Sequence, residues 1–161
     1  MSVTSLDKDY DNLALNIVLD FPHPVDKVWQ LWADPRKLEQ WWGPPTYPAT
    51  VKEHDLTPGG TVSYFMTGPE GDTHHGYWSV TSVNDAKSLE FTDGFAHDDG
   101  TPNPELPTTA MAVEMYDHDG GCRVEMHTVF DSRDQMDQLV AMGMVEGIQE
   151  AAGQMDAILA A

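Results

Sequence analysis

The spacing of hydrophobic residues along the N-terminal part of the chain predicts one strand and two short helices. Between residues 13 and 19 every second residue is Leu or Ile, which is the period of a strand. Pro24 predicts the start of a helix, and the Asp-Pro pair at 34–35 predicts its end and the start of a second helix. Trp41 and Trp42 follow, and the Gly-Pro-Pro after them cannot continue a helix. We therefore expect the two indoles at a junction between helix and sheet, closing one end of the core.

From residue 48 to residue 130, short hydrophobic runs alternate with Gly, Pro, Asn and Asp, a pattern typical of an antiparallel meander. The predicted strands lie near 49–56, 60–67, 75–83, 87–94, 108–117 and 122–130. The segment from Gly94 to Pro107 is too rich in proline and acidic residues for a strand, so we predict a loop at one end of the sheet.

The C-terminal segment predicts one long amphipathic helix. Asp131-Ser132 has the composition of a helix cap, residues 133–159 contain no proline, and their apolar residues gather on one side at the helical period. This helix is the only predicted element long enough to cover one face of a seven-stranded sheet.

Gly143 and Gly147 lie near the middle of the inward stripe of this helix, where each glycine costs roughly 0.5–1 kcal/mol relative to alanine. Two explanations stay open. The glycines let a bulky sheet residue, such as Trp78 or Met126, approach the helix backbone, or they leave room for a ligand.

A set of short motifs accompanies the predicted order of strand, two helices, six strands and helix. They are Pro24–Trp32 with Asp34-Pro35, Leu38-x-x-Trp41-Trp42, Pro58-Gly59-Gly60, Gly76-x-Trp78, Phe91–Phe95, Phe130-Asp131-Ser132, Met142–Gly147 and Gln154-Met155-Asp156. The element order resembles the helix-grip fold of the START and birch-pollen-allergen (SRPBCC) superfamily, an α+β fold. The motifs are similar to those of the bacterial subgroup of the branch named after activators of the heat-shock ATPase. The resemblance implies a cavity for a hydrophobic ligand between the sheet and the long helix. In a minority of members this cavity is the active site of an enzyme.

Composition restricts the remaining functions. The 161 residues suit one domain, expected at 12–161 after a flexible segment at 1–11. With 27 acidic and 8 basic residues the net charge is -19, which argues against nucleic-acid and membrane-surface partners. A single cysteine excludes an intrachain disulfide. Neither a signal peptide nor a long apolar run is present, so we expect a cytoplasmic protein.

Candidates for acid-base chemistry are His54, the pair His74-His75, Asp93 and His97. Neighbouring residues of a strand point to opposite faces, so the paired histidines are not expected to hold one metal ion. We expect neither a metal nor a cofactor.

These observations favour a module that binds a small hydrophobic molecule. The expected ligand-binding residues are Trp42, Tyr64, Met66, Trp78, Phe91, Phe95, Met111, Met115, Met126, Met136, Val140, Gly143, Met144 and Gly147. Methionines at this density favour an adaptable surface.

Three further hypotheses stay open. The first is an enzyme of the polyketide cyclase or aromatase type that uses His54, His75 or His97, and the second is a co-chaperone that stimulates a heat-shock ATPase. The third is a homodimer formed through an apolar spot at Met142 and Val145.

Overall fold

Alternating apolar and polar residues form eight strands of one antiparallel sheet in the computed structural model, which describes residues 3–161. The strands are β1 (Val3–Asp9), β2 (Ala14–Phe21), β3 (Ala49–His54), β4 (Thr61–Thr67), β5 (Thr73–Asn84), β6 (Ser88–Ala96), β7 (Thr109–His118) and β8 (Gly121–Val129). Their order in the sheet is β1-β2-β8-β7-β6-β5-β4-β3. The meander predicted from residue 48 onwards is confirmed, with boundaries shifted by one or two residues at most ends.

Two short helices connect β2 to β3, as the sequence predicts. They are α1 (Val25–Ala33) and α2 (Pro35–Trp41). The Asp34 side chain caps α2 by accepting a hydrogen bond from the backbone N–H of Arg36 at 2.9 Å. The indole of Trp41 donates to the carbonyl oxygen of Leu31 at 2.8 Å, which fixes α2 against α1.

The C-terminal segment differs from the single long helix that its periodicity predicts. It consists of α3 (Arg133–Ala141), α4 (Met144–Ala152) and α5 (Met155–Ala160). Gly143 adopts a left-handed conformation with φ 88°, which ends one helix and starts the next. At the second break, the Gln154 side chain donates to the carbonyl oxygens of Trp41 and Gly43, at 3.3 and 2.7 Å.

The N-terminal segment is the second difference. Residues 1–11 were expected to be flexible and outside the sheet, whereas residues 3–9 form the edge strand β1, paired with β2. Met1 and Ser2 lie outside the described residues. Strand β1 is half-buried at every third residue rather than at every second one. Its sequence therefore lacks the alternation of apolar and polar residues by which a strand is recognised. The sheet therefore has eight strands and not seven.

The hydrophobic core lies between the sheet and the helices. Trp32, Trp41 and Trp78 are almost completely buried there, with Leu31 and Met136. No helix within residues 3–161 is both long and apolar enough to cross a bilayer.

Candidate ligand-binding cavity

A cavity of about 320 Å³ lies between the sheet, the end of α2 and the helices α3 and α4. Its walls are mostly apolar, with four titratable side chains among them. The lining residues are Trp41, Trp42, Pro44, Tyr64, Met66, His74, His75, Gly76, Asp93, Gly94, Phe95, Pro107, Thr109, Met111, Met126, Leu139, Met142, Gly143, Met144, Gly147, Ile148, Ala151 and Ala152. A volume of this size is at the lower end of small-molecule sites, which span about 300–1,000 Å³.

Glycines on the helical side create part of this space. A Cβ atom placed on Gly143 or on Gly147 would meet no described atom within 4 Å. No bulky sheet residue packs against the helix backbone at these two positions, which was one of the two explanations open from the sequence. The structure leaves open space beside both glycines instead.

A hydrogen-bonded pair forms a polar group on the sheet side of the cavity. The hydroxyl of Tyr64 on β4 donates to Oδ1 of Asp93 on β6 at 2.9 Å. The pair spans the intervening strand β5 at Gly76, where a Cβ would lie 2.4 Å from the tyrosine oxygen. Gly76 therefore permits the contact, because any side chain there would occupy the place of the Tyr64 ring.

Burial changes the acid-base properties of this pair. Removal of Asp93 from water raises the pKa of its carboxyl to about 7, and the hydrogen bond from Tyr64 opposes this effect. Burial, and then the neighbouring Asp93 charge, raise the pKa of Tyr64 well above its ordinary value. The indole N–H of Trp42 lowers that pKa somewhat, although its geometry falls short of a hydrogen bond. Near neutral pH the carboxyl of Asp93 is therefore present in both its protonated and its ionised form, whereas the phenol of Tyr64 stays protonated.

Comparison with known proteins places the chain in a family. The model of the family described as "Activator of Hsp90 ATPase homolog 1-like protein" (AHSA1) matches residues 22–160. The chain belongs to the AHSA1 family.

Solved structures of similar proteins have the same fold. A protein of Mycobacterium smegmatis, Ms6760, is 46% identical with a TM-score of 0.90, and the match covers 98% of this chain and 96% of that one. A protein of Arthrobacter aurescens is 43% identical with a TM-score of 0.94, over 99% and 92% of the two chains. DynU16, described as a putative protein in the dynemicin biosynthetic locus, shares the fold at 19% identity and a TM-score of 0.65, over 91% of this chain and 47% of its own. None of the curated proteins compared with the chain matches it.

The cavity of this AHSA1-family chain contains nine of the fourteen residues that the sequence suggests. These are Trp42, Tyr64, Met66, Phe95, Met111, Met126, Gly143, Met144 and Gly147. Four of the others, Trp78, Phe91, Met115 and Met136, are buried in the core instead, and Val140 packs against the core. Alternation along a strand identifies the face of a residue but not its position along the strand, so core and cavity residues carry the same signal.

Part of the cavity wall comes from residues that the sequence reasoning missed. Pro44 and Pro107 approach from loops, Thr109 begins β7, and Ile148 and Ala151 lie on α4. Ala151 follows Gly147 by four residues and so lies on the same side of the predicted helix, which is a usable signal. The two prolines carried none, because loop conformation depends on the assembled fold.

Two of the four histidine candidates, His74 and His75, line the cavity, and the other two do not. His54 is hydrogen-bonded through Nε2 to the carbonyl oxygen of Trp32 at 2.9 Å, and the exposed His97 is not part of the lining. His74 contacts Tyr47 and the carboxylate of Asp72, whereas the ring of His75 packs against Phe65. The two rings have different neighbours, as expected for adjacent residues of a strand. Two of the three histidines suggested for an enzyme, His54 and His97, are therefore not available to a molecule in the cavity.

The apolar spot suggested for a homodimer is also different in the structure. Val145 is buried, with 6% of its surface exposed, and cannot form part of an outer patch. Met142 is 59% exposed and lines the cavity, which places it at the mouth. An unbroken helix would place Met142 and Val145 on one outer face. Because the helix breaks at the left-handed Gly143 between them, the two residues do not share a face.

Proposed function

We propose that this protein binds a small, largely apolar molecule in the cavity between the sheet and α3–α4. The observation that carries the proposal is the open space beside Gly143 and Gly147, in a wall where larger side chains would otherwise close the core. A glycine inside a helix costs roughly 0.5–1 kcal/mol relative to alanine, so the space at Gly147 is kept at the expense of stability. Function is a reason for a protein to tolerate such a cost.

The chemistry of the walls supports an apolar ligand. Met66, Met111, Met126, Met142 and Met144 all line the cavity. Their unbranched thioether side chains adapt to contents of different shape and pack well against aromatic rings. Trp42 adds an edge-on aromatic surface, in contact with Tyr64 at 5.9 Å and Trp78 at 4.8 Å between ring centroids.

The test uses naphthylethanol as a neutral, mainly apolar probe and isothermal titration calorimetry as the measurement. Wild-type protein is expected to bind it saturably. The variant Gly147→Leu is expected to fold, because its Cβ would meet no described atom within 4 Å. It is expected to lose binding, because the leucine side chain fills the space for the ligand.

A matched variant controls for the added leucine. Glu146→Leu introduces the same side chain one residue away, at an exposed position outside the cavity lining, and is expected to bind like wild type. Absence of binding to folded wild-type protein would contradict the proposal. Equal binding by both leucine variants would contradict it as well.

A second candidate function is an enzyme of the cyclase type with Asp93 as its general base. Of the three histidines considered from the sequence, His75 alone lines the cavity with it. The observation that favours it is a carboxyl with a pKa of about 7 beside a phenol in an apolar cavity. Such a base would remove a proton from carbon next to a carbonyl group.

This activity is tested with tetralone in deuterated water, where nuclear magnetic resonance follows exchange of the protons next to its carbonyl. Exchange faster than the buffer rate in wild type, lost in Asp93→Asn and kept in Asp98→Asn, would support the enzyme. Asp98 is an exposed acid outside the cavity lining, so the second variant matches the change in charge alone. Exchange at the buffer rate in all three would remove this candidate.

A further inference from the structure

We propose that the cavity selects apolar molecules that carry a protonated amine, which would pair with the carboxylate of Asp93. This inference rests on the proposed function, because it names the chemical class of the ligand for the same cavity. The observation behind it is the position of the Asp93 carboxyl group, which lines the cavity and forms none of the described ion pairs.

Asp93 has a free acceptor oxygen next to the cavity. Tyr64 donates a hydrogen bond to Oδ1, and Oδ2 has no partner among the described residues. The carboxyl is held in place from β4 across Gly76, so its orientation is set by the fold and not by the ligand. A donor group that enters the cavity would thus find an oriented acceptor.

No lysine or arginine is among the described residues that line the cavity, and none of the described ion pairs includes Asp93. Burial of a carboxylate without a cation is unfavourable. The protein reduces the cost by protonation, since burial raises the pKa of Asp93 to about 7. A ligand ammonium group would supply the missing positive charge, and an ion pair with hydrogen bonds is stronger where water is excluded.

None of the other titratable groups that face the cavity forms one of the described ion pairs with Asp93. Tyr64 is neutral at physiological pH, because its pKa is raised. His74 lies next to the carboxylate of Asp72, with Nε2 at 2.6 Å, and the ring of His75 packs on Phe65. Asp93 is therefore the acidic group that a ligand would meet among the described residues of the cavity lining.

Carboxylic acids are expected to be rejected by the same arrangement. An anionic ligand would meet the Asp93 carboxyl in an apolar site, within a protein of net charge -19. Like charges brought together in such an environment repel strongly. The predicted order of affinity is amine, then alcohol, then acid, for ligands with the same apolar body.

The test compares naphthylethylamine, naphthylethanol and naphthylacetic acid by calorimetric titration at about pH 8, above the Asp93 pKa. Wild type is expected to bind the amine at least about tenfold more tightly than the alcohol, and the acid more weakly than both. Asp93→Asn keeps the size of the side chain and an acceptor for Tyr64, and is expected to bind amine and alcohol equally. Asp98→Asn removes one charge from an exposed loop and is expected to keep the preference.

The pH dependence gives a second readout that a general packing role of Asp93 would not produce. The amine is protonated throughout, so below the Asp93 pKa of about 7 its binding must release the proton of the carboxyl. Amine affinity is therefore expected to rise from about pH 6 to about pH 8, with proton release at the lower pH, while alcohol affinity stays nearly constant.

The outcomes separate this inference from the proposed function. Binding of the alcohol without a preference for the amine, or a preference that survives in Asp93→Asn, would overturn the amine inference and leave the ligand-binding proposal intact. Binding of none of the three probes to folded protein would overturn both. Tighter binding of the acid than of the amine would also overturn the inference.

Discussion

The interface between the sheet and the helices is filled at one end and hollow at the other. At the filled end Trp78 stacks on Phe91 with 4.0 Å between ring centroids, and Trp32 is completely buried. At the hollow end, Gly143 and Gly147 face space where no described atom lies within 4 Å of a Cβ. The same sheet supports both ends, so the side chains and breaks of the C-terminal helices decide where the core becomes a cavity.

The largest expected effect is at the filled end. Trp78→Ala removes a completely buried ring and its stacking on Phe91, and is expected to lower the free energy of unfolding by about 3–5 kcal/mol. Urea unfolding followed by circular dichroism measures this. A loss below about 1 kcal/mol would show that the filled end is not tightly packed.

The next effect concerns the carboxyl at the hollow end. The pKa of Asp93 is about 7 in the folded protein, against an ordinary value of 3.8, so the folded state binds this proton more tightly than the unfolded state. Its contribution to stability is therefore present below about pH 4 and is lost as the pH rises to about 7, by at most about 4 kcal/mol.

Asp93→Asn isolates this contribution. Stability is measured by urea unfolding at several pH values in wild type and in the variant. The difference in unfolding free energy, variant minus wild type, is expected to increase between about pH 4 and about pH 7. A difference that is independent of pH would mean that Asp93 ionises normally.

Gly76→Ala tests the link between the polar pair and the sheet. The new Cβ would lie 2.4 Å from the Tyr64 oxygen, so the ring must move and the hydrogen bond to Asp93 must break. We expect a loss of about 1–3 kcal/mol in the free energy of unfolding. The variant Tyr64→Phe provides the comparison, because in it the hydrogen bond is absent but the strand is unchanged. If Gly76→Ala unfolds like wild type, the tyrosine is not held across this strand.

The smallest expected effect compares the two glycines of the hollow end. Gly147→Ala is expected to stabilise the protein by about 0.5–1 kcal/mol, because alanine favours the helix and its Cβ meets open space. Gly143→Ala is expected to destabilise it by about 1–2 kcal/mol, since φ is 88° there. Thermal unfolding of the two variants measures both signs, and the same sign for both would contradict the described break in the helix.

The sequence predicts the junction between helix and sheet and the meander better than the shape of the cavity. Paired tryptophans before Gly-Pro-Pro, and turn residues between hydrophobic runs, determine the helix junction and the meander through local chemistry. The break at Gly143 was not predicted, because the hydrophobic period continues through it and only the backbone conformation reveals it.

The cavity itself was predicted only in part. Asp93 could be recognised as an acid within the motif from Phe91 to Phe95, but its hydrogen bond to Tyr64 depends on three neighbouring strands. The register that brings Gly76 opposite Tyr64 is a long-range property of the sheet. Hydrophobic periodicity therefore identified the cavity walls without locating the polar pair among them.

Methionine methyl resonances test the difference between the two ends most directly. Protein labelled with carbon-13 at the methionine methyl groups is titrated with naphthylethanol. We expect saturable shifts for the methionines that line the cavity, Met66, Met111, Met126, Met142 and Met144. We expect much smaller shifts for those buried in the core, Met115, Met136 and Met155. No shifts at all, or equal shifts in both groups, would contradict this expectation.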